Sequence, residues 1–562
     1  MKKLRWQILV VVLTLVVVGV LLLTQQPSLN TVLPQPVSGG IYTEALIGSF
    51  GRLNPLLDLN NSPDRDVDRL IFSGLFKFDS QGQPQPDLAE SWGNSADGKV
   101  YNITLRPNAN WQDGTPVTSD DVIFTISLLR SQYSAYPDDV RSLWDQVQIT
   151  RLNDKNLKFT LTEPFVPFID YLTFGVLPKH LLQNVAADQL ANTSFDIAPV
   201  GSGPYKFDHL MVENGAVTGV ALTISKSYYG QVPFIQQIVF RYYSSSAAAM
   251  DAYHEGDVLG ISQMDPNTLA TVCADTSLNC YSSRLPRLTL VLFNLNSDQL
   301  PFFQDKNIRH ALMLGLNRQW MVDTILQGQA IVADSPILPD TWAYYNGIAH
   351  TSFDSDTAVQ MLKDAGYVIP ASGSVRTKDK TALSFTMVYP DDALHTRLAQ
   401  AIQANWAAIG VDVKIQPVSY TSLLNSYLTP RSYQAALVDL DFTRSYDPDP
   451  YPFWHQAEAT GGQNYSQWND RTASEYLEEA RITADQNVRL RLYRNFQVVF
   501  SQELPALPLY YPVYTYGVDV RVQGVQLAPL YEPSDRFNNI SDWYLVTSRA
   551  LEQTKQPTGT PK

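Results

Sequence analysis

Cysteine is nearly absent from this chain of 562 residues, with only Cys273 and Cys280 present, in the polar stretch CADTSLNC. Two sulfurs with no nearby histidine make half of a zinc site, so structural zinc is not expected. Two readings stay open: a disulfide across a short loop, worth roughly 2–3 kcal/mol in an oxidising compartment, or a pair of free thiols. Basic clusters are missing beyond the opening MKKLR, and the formal net charge is -14. That balance opposes binding to nucleic-acid phosphates or anionic lipid headgroups. The spacings of common catalysts are missing too: no G-x-x-x-x-G-K-[ST], no G-x-S-x-G and no H-E-x-x-H. Seven histidines (His180, His209, His254, His310, His350, His395 and His455) are scattered without an i, i+4 pair. Each is read as a structural or surface residue, and no enzyme, metal or cofactor is expected. The acidic group Asp439, Asp441, Asp447 and Asp449 has the residue type for Ca²⁺ binding or paired acid/base chemistry. It lacks EF-hand spacing, and the Asp-Pro steps of SYDPDPYP read equally well as turns. An exported hydrolase of peptides or glycans using these carboxylates is the runner-up reading.

One long apolar run is present. Residues 8–23, interrupted only by Thr14 and Gly19, follow the basic start and read as an export signal. The run ends in LLLTQQPS, without the small-residue pattern of a cleavage site and without a cysteine for lipid attachment, so an uncleaved anchor over residues 6–24 is expected. As a helix it spans roughly 28 Å at 1.5 Å per residue, against a hydrocarbon core of about 30 Å. The basic residues should remain cytoplasmic and everything after the run should lie on the extracytoplasmic face of a bacterial cell membrane. Residues 25–39, rich in Pro, Ser and Gln, read as a linker, and residues 549–562 as a disordered tail. Between them, 44% hydrophobic and 17% charged residues describe a globular chain, long enough for two lobes.

Helices and strands alternate in the pattern of an α/β protein. Thr118 and Asp121 fit a capping box ahead of Val122, Ile126 and Leu129, which predicts a helix over 119–131. LSFTMVYP (383–390), DALHTRLAQAIQANWAAI (392–409) and VDVKIQPV (411–418) read as strand, helix and strand, with Gly410 stopping the helix. Further helices are expected at 307–327, 355–365, 472–482 and 486–503. The apolar runs at 288–296 and 504–517 are expected to cross between lobes.

Several segments carry a resemblance. IGSFGRLNPLLDLNNSPDRDVDRLIFSGLFKFD near the start, PDLAESW (86–92), SADGKVYNITLRPNANWQDGTPVTSDDVIFT (95–125), VGSGPYKF (200–207), NIRHALMLGLNRQWMV (307–322) and YDPDPYPFWHQAEATGGQNYSQWND (446–470) occur in this order. Together they resemble the extracytoplasmic solute-binding protein family 5, which includes oligopeptide-, dipeptide- and nickel-binding proteins. The resemblance implies a two-lobed periplasmic-binding-protein-like fold with an extra subdomain and a ligand cleft between the lobes. Lobe I is expected over 40–287, with 516–548 returning to it, and lobe II over 288–515.

It also implies a function: capture of a short peptide or similar small polar solute for an ABC importer, whose permease and ATPase subunits are separate chains. A module presenting ligand to a signalling protein is a further alternative. By resemblance, Ser49, Phe50 and Gly51 match the loop that lines the cavity in the first lobe. Tyr420 matches an aromatic wall, Asp439, Leu440 and Asp441 the ligand strand, Asn464 a polar contact, and Tyr510 or Tyr511 the return strand. Peptide-binding members place an Asp after a G-W dipeptide to pair with the ligand ammonium. This chain reads VDLDFTRSYDPD instead, leaving Asp439, Asp441 or Asp447 as substitutes. Only His455 lies near the matching region as a nickel or haem ligand.

Overall fold

A computed structural model of the chain describes residues 33–550 except 80, 298–299 and 444–445, together with the isolated positions 6, 14 and 16. The expected anchor at 6–24 thus falls almost wholly outside the described residues. Among those described, no helix is long and apolar enough to cross a membrane.

The architecture hangs on one strand, Ala506–Asp519. Its first half pairs antiparallel with Arg287–Phe293, bringing Leu292 opposite Ala506 and Thr289 opposite Tyr510. Its second half pairs with Leu278–Arg284, from Arg284 opposite Val513 to Leu278 opposite Asp519. Pro286, which has no N–H to offer the ladder, sits at the break between the two partner strands. The outcome is a 12-stranded sheet that runs unbroken from one lobe into the other.

On one side of the shared strand the order continues through Ala435–Asp441 to Ser384–Pro390 and Asp412–Val418. The last two strands are parallel and joined by the helix Ala393–Ala408. This is the expected βαβ unit. The Asp392 carboxylate caps the helix by accepting from the Leu394 and His395 amides at 2.9 Å. Gly410, at φ +83°, ends it. Because strand side chains alternate, the two faces of this half-sheet carry separate cores. Val291, Phe293, Ala435, Leu437 and Leu507 pack with Ile308, Leu312, Leu398 and Trp406. Leu290, Leu292, Ala436 and Val438 pack with Leu477, Tyr493 and Phe496.

On the other side, the sheet continues through Ile41–Ile47 and Gln237–Tyr243 to the hairpin of Ala216–Ile224 and Tyr205–Glu213. A separate four-stranded antiparallel sheet spans Ala89–Asn94 to Asn156–Thr160. The helix Ser119–Leu129 beside it buries Val122, Ile126 and Leu129. Asp121 holds its start, accepting from the Thr118 amide at 2.8 Å.

Three expectations change. The helix expected over 307–327 divides: Lys306–Leu314 ends at Gly315, and Asn317 caps a new start by accepting from the Trp320 amide at 3.0 Å. The expected linker at 25–39 and tail at 549–562 are not wholly unstructured. Leu33–Val37 pairs antiparallel with Val546–Ala550. The prolines at 34 and 36 put both missing N–H groups on one edge of the strand and leave the other edge able to pair. Finally, CADTSLNC is not simply a loop. Cys273 lies on the helix Pro266–Ala274 and Cys280 on the strand Leu278–Arg284, joined by a disulfide.

Candidate functional site

Between the two halves of the sheet lies a cavity of about 830 Å³. Its size falls near the upper end of the roughly 300–1,000 Å³ typical of enclosed small-ligand sites. One wall is aromatic and comes from the first lobe: Tyr136, Trp144, Phe165 and Tyr171. The crossing segment contributes Leu285, Pro286 and Arg287, and the second lobe Asp441, Asp447, Asp449, Phe453 and Arg481.

The lining charges of the second lobe are paired. Arg287 and Asp441, opposite one another in the strand register, are 3.1 Å apart and both substantially exposed. Arg481 Nε lies 2.7 Å from Asp449, with its guanidinium 3.6 Å over the Tyr451 ring and 5.5 Å from the Phe165 ring of the first lobe. Burial raises the Asp449 carboxyl above its usual range, Arg481 opposes this and Asp447 adds to it. Arg489 is 2.7 Å from Asp447 and also donates to Tyr493 Oη at 3.0 Å and to the Ala480 carbonyl at 2.8 Å.

Asp170 stands apart. It lies on the short turn Val166–Leu172 of the first lobe, and among the described residues no ion pair joins it to a guanidinium. Its carboxylate accepts the Asp447 backbone N–H at 2.7 Å, a hydrogen bond between the lobes.

Of the residues expected at the site, the structure brings Asp441 and Asp447 to the cavity lining. Asp439 is one step away: it accepts from Thr289 Oγ1 at 2.5 Å and lies 3.6 Å from His395 Nε2. Burial raises its carboxyl, but His395, Thr289 and Arg287 outweigh this and hold it below the usual range. The other expected residues lie outside the lining. The Ser49 carbonyl accepts from Asn61 and the Gly51 amide donates to Asp64, so this loop is fastened to the following helix, with Phe50 against Tyr242. Tyr420 is 69% exposed. Leu440 is in the core of the second lobe. Asn464 is fully buried, donating to the His455 and Trp468 carbonyls and accepting from the Trp468 amide. Tyr510 is buried, and Tyr511 donates to the Ser335 carbonyl at 2.6 Å. His455 stacks on Tyr451 and lies 2.8 Å from Glu478, which occupies its ring. Among the described residues no group of three or more His, Cys, Asp or Glu side chains is placed to hold a metal ion.

Sequence reasoning missed Asp170, the aromatic wall and Arg481. The signal for the first was a single acid within the apolar run FVPFIDYLTF (165–174).

Comparison with known proteins agrees with this geometry. The chain is 25% identical over 523 residues to the oligopeptide-binding protein AppA of Bacillus subtilis (strain 168), covering 91% of this chain and 93% of that protein. It is 25% identical over 479 residues to the dipeptide-binding protein of Escherichia coli (strain K12), covering 81% and 86%. The crystal structure of NikZ from Campylobacter jejuni in complex with Ni(L-His) superposes with a TM-score of 0.67 at 25% identity, covering 90% of this chain and 99% of that one. Residues 83–465 match the bacterial extracellular solute-binding proteins, family 5 middle region. With most of its length inside that match and a cleft between two α/β lobes, the chain belongs to the family 5 bacterial extracellular solute-binding proteins.

Proposed function

We propose that this solute-binding component of an ABC importer captures a short peptide in the cavity between its lobes. The observation that carries the reading is the cavity itself: about 830 Å³, with an aromatic wall on one lobe and Arg–Asp pairs on the other. Rings supply contact area whatever the side chains of the ligand, while alternating cations and anions suit a zwitterion with polar groups along its length. Such a volume exceeds what one metal ion needs. The hydrolytic alternative is less well supported, because Asp441, Asp447 and Asp449 are each engaged by an arginine.

The strand shared by both half-sheets supports a first lobe over 40–287, with 516–548 returning to it, and a second lobe over 288–515. Ligand stabilises the closed arrangement by touching both sides, and the closed form docks on the permease. Residues 6–24 act as an uncut anchor holding the protein at the extracytoplasmic face. A mature N-terminus near Gln25, found by sequencing, would refute the anchor.

Native mass spectrometry of the purified protein, set against the denatured protein, tests the ligand. A ladder of excess masses matching short peptides is expected. A single mass matching a metal chelate or a sugar, with no binding of a tripeptide-to-hexapeptide panel, overturns the peptide reading.

A further inference from the structure

The strand Ala435–Asp441 belongs to the second lobe, yet the chain just beyond it does not stay there. Tyr446 is buried in the hydrophobic core of the first lobe. Its ring stacks on Phe78 at 3.9 Å with the planes 8° apart, and it meets Tyr531 at 4.6 Å. The next residue, Asp447, donates its amide to the Asp170 carboxylate of the first lobe at 2.7 Å, while its own carboxylate pairs with Arg489 of the second. Two residues later Asp449 holds Arg481, which reaches the Phe165 ring. A segment rooted in one lobe is therefore bolted into the other through a ring stack and a carboxylate.

From this arrangement we propose that Asp170 is the positioning residue for closure, fastening the lobes when protonated and loosening them as pH rises. The inference rests on the two-lobed binding reading above. In this arrangement Asp170 is partly buried at the cavity lining, with the Asp447 amide 2.7 Å from its carboxylate. The titratable and charged groups around it are Tyr171 on its own turn, Tyr446, Asp447 and Asp449 on the docked segment, Arg481 and Arg489 on the helices behind, and Tyr531 on the return segment. Burial raises the Asp170 carboxyl well above its usual range and Asp447 raises it further, against the pull of the Asp447 amide and Arg489.

When the lobes part, Asp170 meets water and loses its carboxylate neighbour, so its affinity for a proton falls towards that of an ordinary aspartate, near pH 4. The closed state thus binds the proton more tightly than the open state. Its advantage is complete below the ordinary value and is lost as pH rises through the raised one. Over that window the closed-to-open ratio falls by up to about tenfold per pH unit. Release of ligand at higher pH follows without any change in the ligand itself.

The test reads closure without ligand, so it fails separately from the peptide reading. Spin labels at Leu152→Cys and Val368→Cys, exposed sites one in each lobe, report the inter-lobe distance in the full chain between pH 5 and 9. In the otherwise unchanged protein the short-distance population is expected to shrink as pH rises. Asp170→Asn retains an oxygen for the Asp447 amide but cannot titrate, and should hold a constant population. Asp170→Glu should restore the dependence. Tyr446→Ala, which removes the stack and no carboxylate, should lower the short-distance population already at pH 5. A distribution insensitive to pH in the parent, a pH response retained in Asp170→Asn, or an unaltered population in Tyr446→Ala overturns the proposal.

Discussion

Replacing Arg481 with methionine separates an electrostatic role from a packing one at the cavity wall. Methionine keeps an apolar stem of similar length, so the substitution chiefly removes charge. Asp449, 9% exposed, then loses the guanidinium 2.7 Å away that offsets its burial. Stripping one partner from a buried pair costs about 3–5 kcal/mol, and the quarter-exposed Arg481 side chain argues for the lower end. The cation over the Tyr451 ring at 3.6 Å adds about 1 kcal/mol. The expected loss at pH 7.5 is therefore about 3–4 kcal/mol, read as a lower urea midpoint by tryptophan fluorescence. Its pH dependence has a definite sign. The folded-state carboxyl of Asp449 is already raised, and losing Arg481 raises it further. The penalty should be small below the unfolded value of about 3.9 and grow as pH rises through the folded one. Arg481→Met with Asp449→Asn should recover all but about 1 kcal/mol, the part assigned to the ring contact, because Asn retains an oxygen for the Tyr451 amide that Asp449 accepts at 3.1 Å. A single-variant loss below about 1 kcal/mol, within the range of exposed pairs, or a loss flat between pH 4 and 8, would refute the reasoning.

Arg287→Met at the same cavity should behave differently: with both partners exposed by more than 40%, unfolding stability should change by less than about 1 kcal/mol, while affinity for the peptide panel falls in calorimetry. Removing the disulfide through Cys273→Ser and Cys280→Ser, or adding reductant, should lower stability by about 2.5 kcal/mol for so short a loop, visible as a matching shift in urea midpoint.

Features encoded by periodicity or by residues close in sequence are legible in the sequence itself. The βαβ unit at 384–418 reads from apolar runs and Gly410, and the helix at 119–129 from Thr118 and Asp121. The apolar runs at 288–296 and 504–517 stand out because both faces of the half-sheet they enter are covered, although the first, expected to cross between lobes, stays within the second lobe and the crossing falls ahead of it at Pro286. Short strands with alternating prolines, such as residues 33–37, carry no such period and read as linker. The site was harder to read for a different reason. Asp170 and Asp447 are 277 residues apart in sequence, and nothing local to either announces the other. Tyr420 faces solvent and Asn464 is buried within its own loop, so motif position alone does not bring either to the cavity lining.

The pairing of Leu33 with Ala550 brings the two ends of the described chain side by side. Topologically the polypeptide is almost a closed ring. A short covalent bridge between those ends would complete it, and new termini opened in an exposed turn such as 214–215 would yield a circular permutant with every sheet pairing preserved. It follows that a reporter joined directly after residue 550 would share one edge of the molecule with whatever is joined ahead of residue 33, so a constraint on one limits the space available to the other.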